Sequence, residues 1–277
     1  MDTHSTKVSK TLLTFIGYNG RSRFWNEFTQ LLDPHYTTIV GDHYYWLKTG
    51  HGRLFWRART ILTEEPYIIE WIQSMGENDV FYDIGANVGI YTLLGATHAD
   101  HTYAFEPVFQ NLSVLEENIV RNNLEDMVTI VPIALDKTQR VVKIKHRSLG
   151  ASEANQLFDV RSDGTFNYEV NRKELSRDDI RYQLRHLTQS ADELQKAYKL
   201  RMPTYLKVDV DGCEDEVFQG LSAILSEGTI KTIYYEENSN NQRYIYERYL
   251  RQLGFKIDHI VPVGNQLSSS TNIIVSR

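Results

Sequence analysis

The chain has 277 residues, of which 41% are hydrophobic and 24% are charged, and its net charge at pH 7 is −6. Its length allows one large domain, or a domain with an appendage, and suffices for a core without disulfides. The acidic balance argues against a nucleic-acid-binding protein, and the single cysteine excludes an intramolecular disulfide framework. Because neither a secretion signal nor an apolar run of about 18 residues occurs, we expect a soluble, cytoplasmic protein.

Residues 1–75 are predicted to form an N-terminal extension. Ser22 is placed to cap a short helix. Aromatic and β-branched residues before and after Gly41 predict a hairpin or meander that continues through GRLFWRA. The segment TEEPYIIEWIQSM then predicts a helix capped by Thr63. We expect this helical and hairpin extension to pack on a main domain formed by residues 76–277.

In the main domain, short apolar runs alternate with helical segments, which is typical of an α/β fold with a mostly parallel sheet. The predicted strands are DVFYDIGA, HTYAFEP, VTIVPIAL, TYLKVDVDG, KTIYYEEN, KIDHIVPV and TNIIVSR. An insertion at about residues 146–200 interrupts the alternation before the fourth strand. It ends in two predicted helices, the second beginning with a capping box from Ser190 to Glu193. This insertion is either a substrate wall or a peripheral elaboration.

Carboxylates follow the predicted strands at the point where each strand ends. Asp83, Glu106 and Asp209 lie at the ends of the first, second and fourth strands, and Glu236 and Glu237 end the fifth. Ligands of open parallel sheets bind outside the carboxyl ends of the strands. The set therefore predicts a site at this edge, although any single acid has the alternative of being a solvated cap.

The segment DIGANVG places Gly85 and Gly89 between the first strand and a helix. Such a loop lets a ligand approach the backbone, and the helix N-terminus supplies donors. Glu106 follows roughly twenty residues later, where an acid can bind a ribose diol, so a nucleoside ligand is predicted. Asn87 stands where the dinucleotide fingerprint has its middle glycine. Because many carboxylates favour a cation, S-adenosylmethionine fits better than NAD.

Five segments in order resemble the FkbM family of class I, Rossmann-like methyltransferases: FYDIGANVGIYTL, AFEPVFQNLSVLEENIVRNN, IVPIALDK, YLKVDVDGCEDEVFQGL and TIYYEEN. The resemblance covers about residues 60–277. It implies a seven-stranded, mostly parallel sheet with an antiparallel last strand and helices on both faces. It also implies O-methylation, with S-adenosylmethionine, of a hydroxyl on a sugar, glycan or related metabolite. The alternatives are an NAD-type dehydrogenase and a non-catalytic nucleoside-binding module.

The resemblance also implies roles for individual residues. Glu106 would bind the ribose, Ala134 and Leu135 would line the adenine, and Asp209 would lie at the reaction centre. The loop near the methionine part of the cofactor would be formed by Asp83, Gly85, Asn87 and Gly89. Many members have glutamate where this chain has Asp211, so Asp211 receives no role.

A hydroxyl acceptor must lose a proton to a positioned base or beside a metal. Asp209 is predicted to be catalytic, as base or as metal ligand. Lys207 precedes it on the same face of the strand and would orient it or form a simple ion pair. A second hypothesis is a magnesium ion (Mg2+) held by Asp209 with Glu236 or Glu237.

His146 and His186 are alternative candidates for the base. The expected partner is a small-molecule or glycan acceptor, with no nucleic acid and no membrane span, and homo-oligomer formation stays open. The N-terminal extension and the insertion, which the resemblance covers less well, are expected to select the acceptor.

Overall fold

A computed structural model provides the structure, and it describes residues 34–50, 52–146, 151–152, 158–159, 182–210, 212–237, 244–262 and 271–277. The predicted helix at Ser22 and the residue Asp211 lie outside the described residues.

The described part of the N-terminal extension contains an antiparallel hairpin of β1 (His35–Val40) and β2 (His43–Lys48). Its turn contains Gly41 at φ +60°, which confirms the predicted hairpin. The helices α1 (Gly52–Glu64) and α2 (Pro66–Gln73) follow.

Two predictions for the extension are wrong. The segment GRLFWRA belongs to α1 and not to a meander, because Leu54, Ala58 and Ile61 recur at helical spacing and bury one face of the helix. Thr63 lies in the last turn of α1 and caps nothing, since its hydroxyl donates to the carbonyl of Thr60. The next helix begins instead with Pro66, whose fixed φ and missing N–H suit the first helical turn.

The remaining elements alternate as strands and helices along the chain. In chain order they are β3 (Val80–Ile84), α3 (Ile90–Ala96), β4 (His101–Phe105), α4 (Phe109–Arg121), β5 (Val128–Val131), β6 (Ala134–Leu135), β7 (Arg140–His146), β8 (Phe158–Asp159), β9 (Tyr182–Gln189), α5 (Ala191–Tyr198), β10 (Tyr205–Val208), α6 (Glu214–Gly220), α7 (Ser222–Ser226), β11 (Thr232–Glu237), β12 (Lys256–Pro262) and β13 (Thr271–Ser276). A π-helical turn and a 3-10 turn precede Gly254, which ends the helical segment at φ +88°.

Seven strands form the central sheet in the order β12-β13-β11-β10-β3-β4-β5. The pairs from β11 to β5 are parallel, whereas β13 is antiparallel to both of its neighbours. One face packs on the hairpin and on α2, α3 and α4, and the other packs on α5, α6 and α7. The predicted seven-stranded α/β fold with helices on both faces is therefore confirmed.

A second sheet has the order β6-β9-β7-β8 and corrects the sequence analysis twice. The predicted third strand, VTIVPIAL, is divided around Pro132, which has no N–H for a ladder. Its first half is β5, and its second half, β6, pairs with β9. The first of the two predicted helices, which precedes Ser190, is instead β9. This strand pairs with the whole of β7. The second helix is correct, because the Ser190 hydroxyl accepts from Glu193 N at 3.2 Å.

Within the described parts of the chain, no helix combines the length and the apolar character that a bilayer crossing requires.

Candidate active site

A cleft of 710 Å³ opens at the carboxyl ends of β3 and β10. The chain order in the sheet reverses between these two strands. On one side of β3 the sheet continues with β4 and β5, and on the other side it continues with β10 and β11. Such a reversal leaves a crevice in which open α/β sheets bind their ligands. The loop after β3 forms the floor of the cleft, and α1 and the start of α2 contribute a wall.

The loop after β3 requires glycine at two positions. Gly85 has φ +81°, and a Cβ there would lie 1.8 Å from the Asp209 carbonyl oxygen. Gly89 has φ +87°, and a Cβ there would lie 2.3 Å from Leu115 Cδ1. Only glycine meets both the left-handed conformation and the close approach. The two glycines therefore fix the path of a loop whose backbone faces the cleft.

Asn87 lies between these glycines in the left-handed conformation, at φ +54°. Its backbone N–H donates to Glu106 Oε2 at 2.8 Å. Asn87 lines the cleft, and its side-chain Oδ1 is buried and has no hydrogen-bond partner among the described residues. A buried acceptor without a partner is costly, so this position favours a ligand that carries a donor.

Glu106 holds the loops after β3 and β4 together. Besides the contact to Asn87, its Oε1 accepts from Val108 N at 2.9 Å and from Asn111 Nδ2 at 3.2 Å. The side chain is buried at 4% exposure and does not line the cleft. Its predicted contact with a ribose stays a prediction.

A buried charge cluster lies directly beneath the loop. Asp83 is fully buried; its Oδ2 accepts from Thr92 at 2.6 Å, and its Oδ1 lies 3.1 Å from Lys207 Nζ. The same Nζ lies 3.7 Å from Asp209 Oδ2. Burial disfavours the ammonium form, but the carboxylates of Asp83 and then Asp209 outweigh it and raise the pKa of Lys207. Lys207 is therefore charged at neutral pH, with its charge matched by carboxylates.

A second network surrounds the carboxylate of Glu65. Its Oε1 accepts from Asn272 Nδ2 at 2.7 Å and from the Tyr234 hydroxyl at 3.3 Å, and its Oε2 accepts from the Tyr91 hydroxyl. Burial, reinforced by the Glu65 charge, raises the pKa of both tyrosines above the usual range. Both phenols are protonated donors at neutral pH. Sequence analysis missed this network because its members come from four distant parts of the chain.

The predicted site residues divide into two groups. Gly85, Asn87, Lys207, Asp209 and Glu236 line the cleft. The residues that do not line it are Asp83, Gly89, Glu106, Ala134, Leu135 and Glu237.

Three members of the second group lie on other elements of the fold. Ala134 and Leu135 are buried in β6, and their predicted contact with adenine stays a prediction. Glu237 points to the opposite face of β11 from Glu236, and its Oε2 accepts from Ile245 N at 2.9 Å. Glu237 therefore does not share the cleft with Asp209, and a metal site formed by these two residues stays a prediction that the geometry does not support.

The two histidines proposed as alternative bases lie in the second sheet. His146 belongs to β7 and His186 to β9, and neither lines the cleft. Burial lowers the pKa of both imidazoles. The structure gives no support to either histidine as the base for this cleft.

Sequence analysis also missed one wall of the cleft. Arg53, Trp56, Arg57 and Thr60 of α1 all line it. Their spacing of three, four and seven residues is that of one helical face. This spacing in the sequence could have predicted the helical face, but the aromatic residues around it favoured a strand.

Comparison with known proteins agrees with this geometry. The family model described as the methyltransferase FkbM domain matches residues 83–257. A hexuronic acid methyltransferase, AglP, from Haloferax volcanii is 26% identical over 172 residues. That alignment spans 61% of this chain, and this chain spans 61% of the relative's length.

Two solved structures are similar in shape. A methyltransferase FkbM from Methylobacillus flagellatus KT has a TM-score of 0.46 and 12% identity, with 81% of this chain and 53% of that chain covered. A precorrin 8W decarboxylase from Methanobacterium thermoautotrophicum has a TM-score of 0.45 and 17% identity, with 78% and 90% covered. Neither similarity is close enough to support a function.

The family model matches the segment that runs from β3 into β12 and so includes the glycine loop, β10 and β11. The family predicted from the sequence motifs is confirmed, and the dehydrogenase alternative is not favoured. This chain belongs to the FkbM methyltransferase domain family.

Proposed function

We propose that this chain is an S-adenosylmethionine-dependent O-methyltransferase that acts on a hydroxyl of a sugar, glycan or related metabolite. The carrying observation is the cleft at the reversal of strand order, where the glycine loop faces the carboxylate of Asp209. Family membership supports methyl transfer, and the relative that acts on a hexuronic acid supports a sugar acceptor.

The residues of the cleft fit this cofactor. Gly85 leaves the backbone open to a ligand, and Asn87 Oδ1 offers an acceptor that has no partner among the described residues. The carboxylates of Asp209 and Glu236 border the same space and favour a cation. When bound, S-adenosylmethionine supplies a methyl group activated by its positively charged sulfur.

The protonation states of the other cleft residues support a carboxylate as the base. Lys207, Tyr91 and Tyr234 have raised pKa values and are protonated at neutral pH. The carboxylate of Glu65 already accepts three hydrogen bonds. The carboxylates of Asp209 and Glu236 remain, and we assign the role to Asp209, whose side chain is 39% exposed and lies 3.7 Å from Lys207.

Asp209 takes the proton that the acceptor hydroxyl loses as its oxygen bonds to the methyl carbon. The bond from that carbon to sulfur would break, with its electron pair left on S-adenosylhomocysteine as the leaving group. Lys207 is a positioning residue, which holds Asp209 through the 3.7 Å contact while Asp83 holds Lys207 from below. The loop and the α1 wall orient the acceptor against the cofactor.

The substitution Asp209→Asn tests this role. We expect a loss of turnover of about 10²- to 10⁴-fold, the usual contribution of a positioned base. Cofactor binding should weaken far less than turnover, because Glu236 keeps its charge and the backbone carbonyl that approaches Gly85 is unchanged. Transfer from a labelled methyl donor to a panel of saccharides measures turnover, and calorimetry measures binding. Wild-type turnover in this variant would contradict the role, and wild-type protein that binds NAD but not S-adenosylmethionine would contradict the function.

Magnesium stays a prediction for Asp209 together with Glu236. Among the described residues, no three histidine, cysteine or carboxylate side chains are grouped closely enough to hold a metal ion. Two carboxylates with bound water could still hold magnesium, which keeps several waters. Unchanged turnover after exhaustive chelation would remove this hypothesis.

The cytoplasmic location also stays a prediction.

A further inference from the structure

The wall of the cleft formed by α1 has its own chemistry. Arg53 and Arg57 are one helical turn apart and border the cleft, and Trp56 lies between them with its side chain half exposed. The wall precedes residue 83, where the match to the family begins. It therefore belongs to the part of the chain that the family motifs do not describe.

The two arginines are cations of the cleft that no described carboxylate neutralises through an ion pair. Lys207 is paired with Asp83 and Asp209, and the carboxylate of Glu65 is filled by neutral donors. Across the described residues, neither Arg53 nor Arg57 forms an ion pair. Arg57 Nε is buried and has no hydrogen-bond partner among the residues that the structure describes. A buried donor left without a partner is costly, so its position favours a ligand acceptor.

Arg57 also lies near the reaction centre. Burial and the Glu65 carboxylate raise the pKa of Tyr91, and the positive charge of Arg57 partly offsets that rise. Tyr91 in turn lies beneath Lys207, whose Nζ is 5.6 Å from the centre of its ring. Arg57 and Asp209 line the same cleft of 710 Å³, so one small molecule bound there can contact both.

We propose that the acceptor carries an anionic group, a carboxylate or a phosphate, and that Arg57 and Arg53 bind this group while Trp56 packs on the sugar ring. The guanidinium fork matches the two oxygens of such an anion, and the exposed indole offers an apolar surface to the ring. This assignment rests on the proposed function, because it names the acceptor class of the same site. It makes α1 the element that selects the acceptor.

Ligand-observed NMR on the full chain saturated with S-adenosylhomocysteine tests the acceptor class. The probes are methyl glucuronide, glucose 6-phosphate and methyl glucoside, together with their galacto counterparts. We expect at least one anionic probe to bind about 10- to 100-fold more tightly than its neutral counterpart, the range for hydrogen bonds to a charged group. The carboxylate and phosphate arms distinguish the two sources of charge. If every neutral sugar binds as well as its anionic counterpart, or if no anion binds, the proposal is overturned.

Substitutions on α1 assign the preference to residues. Arg57→Gln should remove most of it, Arg57→Lys should restore part of it, and Arg53→Gln should have a smaller effect because Arg53 is exposed. Arg59→Gln is the matched control, since Arg59 is exposed on the same helix and does not line the cleft. Trp56→Ala should weaken anionic and neutral sugars equally. An unchanged preference in Arg57→Gln would overturn the assignment.

Calorimetry with S-adenosylhomocysteine separates this proposal from the proposed function. Each variant should bind it as wild type does, because α1 is assigned to the acceptor. Wild-type protein that binds the anionic sugar but neither S-adenosylhomocysteine nor S-adenosylmethionine would contradict the methyltransferase and retain the anion site. Cofactor binding and methyl transfer without a preference for anionic sugars would contradict the anion site and retain the methyltransferase.

Discussion

A lysine buried to 1% exposure in β10 is tolerated because carboxylates lie on two sides of it. The partner below it, Asp83, is itself fully buried, and the partner toward the cleft, Asp209, is partly exposed. Lys207 Nζ also lies 3.4 Å from the Gly85 carbonyl oxygen, to which it donates. One ammonium thus connects Asp209, the glycine loop and the buried Asp83 beneath that loop.

We expect Lys207→Met to lower the free energy of unfolding by about 3–5 kcal/mol, because it leaves the buried Asp83 carboxylate without its cation. Lys231→Met is the matched control. Lys231 also pairs with an aspartate, Asp79 at 2.6 Å, but its side chain is 58% exposed, so a cost below about 1 kcal/mol is expected. Urea unfolding at pH 7 measures both. Equal costs would show that the buried cluster is no more important than a surface pair.

We expect Gly85→Ala to be more damaging than another substitution with the same backbone strain. Both Gly85 and Gly254 have positive φ, but nothing lies within 4 Å of a Cβ at Gly254, whereas one at Gly85 meets the Asp209 carbonyl. Gly254→Ala should cost about 1–2 kcal/mol through its backbone alone. Gly85→Ala should cost more and should also weaken cofactor binding. Thermal unfolding and calorimetry compare them, and similar values would contradict the importance of the close approach.

At the scale of elements, Asn118 of α4 and Asn122, the residue that follows this helix, attach the hairpin to the main domain. Asn122 accepts from Trp46 N and donates to Trp46 O, both at 2.8 Å. Asn118 accepts from Lys48 N at 2.8 Å and donates to Val88 O at 2.7 Å. Only Asn118 therefore connects the hairpin to the glycine loop.

These contacts predict different effects for two similar substitutions. Asn118→Ala and Asn122→Ala should each lower the free energy of unfolding by about 1–3 kcal/mol, because each leaves backbone groups of β2 unsatisfied. Only Asn118→Ala should also weaken cofactor binding, since it releases Val88. Chemical denaturation and calorimetry separate the two effects. Equal loss of cofactor affinity in both variants would contradict a specific role for Asn118.

The elements predicted wrongly share a cause. The segment of β9 has no run that requires a strand, and its pairing with β7 determines its conformation. The segment GRLFWRA has both aromatic residues and helical spacing, and burial of Leu54 and Ala58 decides for the helix. Local propensity is weak where one long-range partner supplies most of the contacts.

At the scale of the whole molecule, the extension shares a core with the main domain. Val40 and Tyr45 of the hairpin and Trp71 of α2 belong to the same buried cluster as Phe81 of β3 and Leu115 of α4. Trp71 Nε1 also donates to Thr232 at 3.0 Å. A domain boundary near residue 75 stays a prediction, but this shared core argues against independent folding.

We therefore expect the extension and the sheet to unfold together. All four tryptophans lie within the first 71 residues, so their fluorescence reports on the extension and, through Trp71, on its contact with the sheet. Far-ultraviolet circular dichroism reports mainly on the rest of the chain. The two denaturation curves should coincide, as a single cooperative transition requires. A fluorescence transition at lower denaturant than the dichroism would show that the extension is a separate unit.

The sequence by itself determined the α/β class, the seven strands of the sheet, the glycine loop and the position of Asp209 at the end of a strand. These features depend on local patterns, namely apolar runs, glycine spacing and acids at strand ends, which persist in any packing of the chain. Lys207 was also identified this way, because alternation along a strand places it on the same face as Asp209.

Only the tertiary structure decided which of these residues meet. It separated Glu236 from Glu237, placed Glu106 against backbone N–H groups, and brought Glu65 to Tyr91 and Asn272. It also placed the arginines of α1 over the cleft. These contacts join segments up to 207 residues apart, and no local pattern encodes such pairings. The physical reason is that a side chain's partners are set by how helices and strands pack, whereas its element is set mainly by its neighbours in the chain.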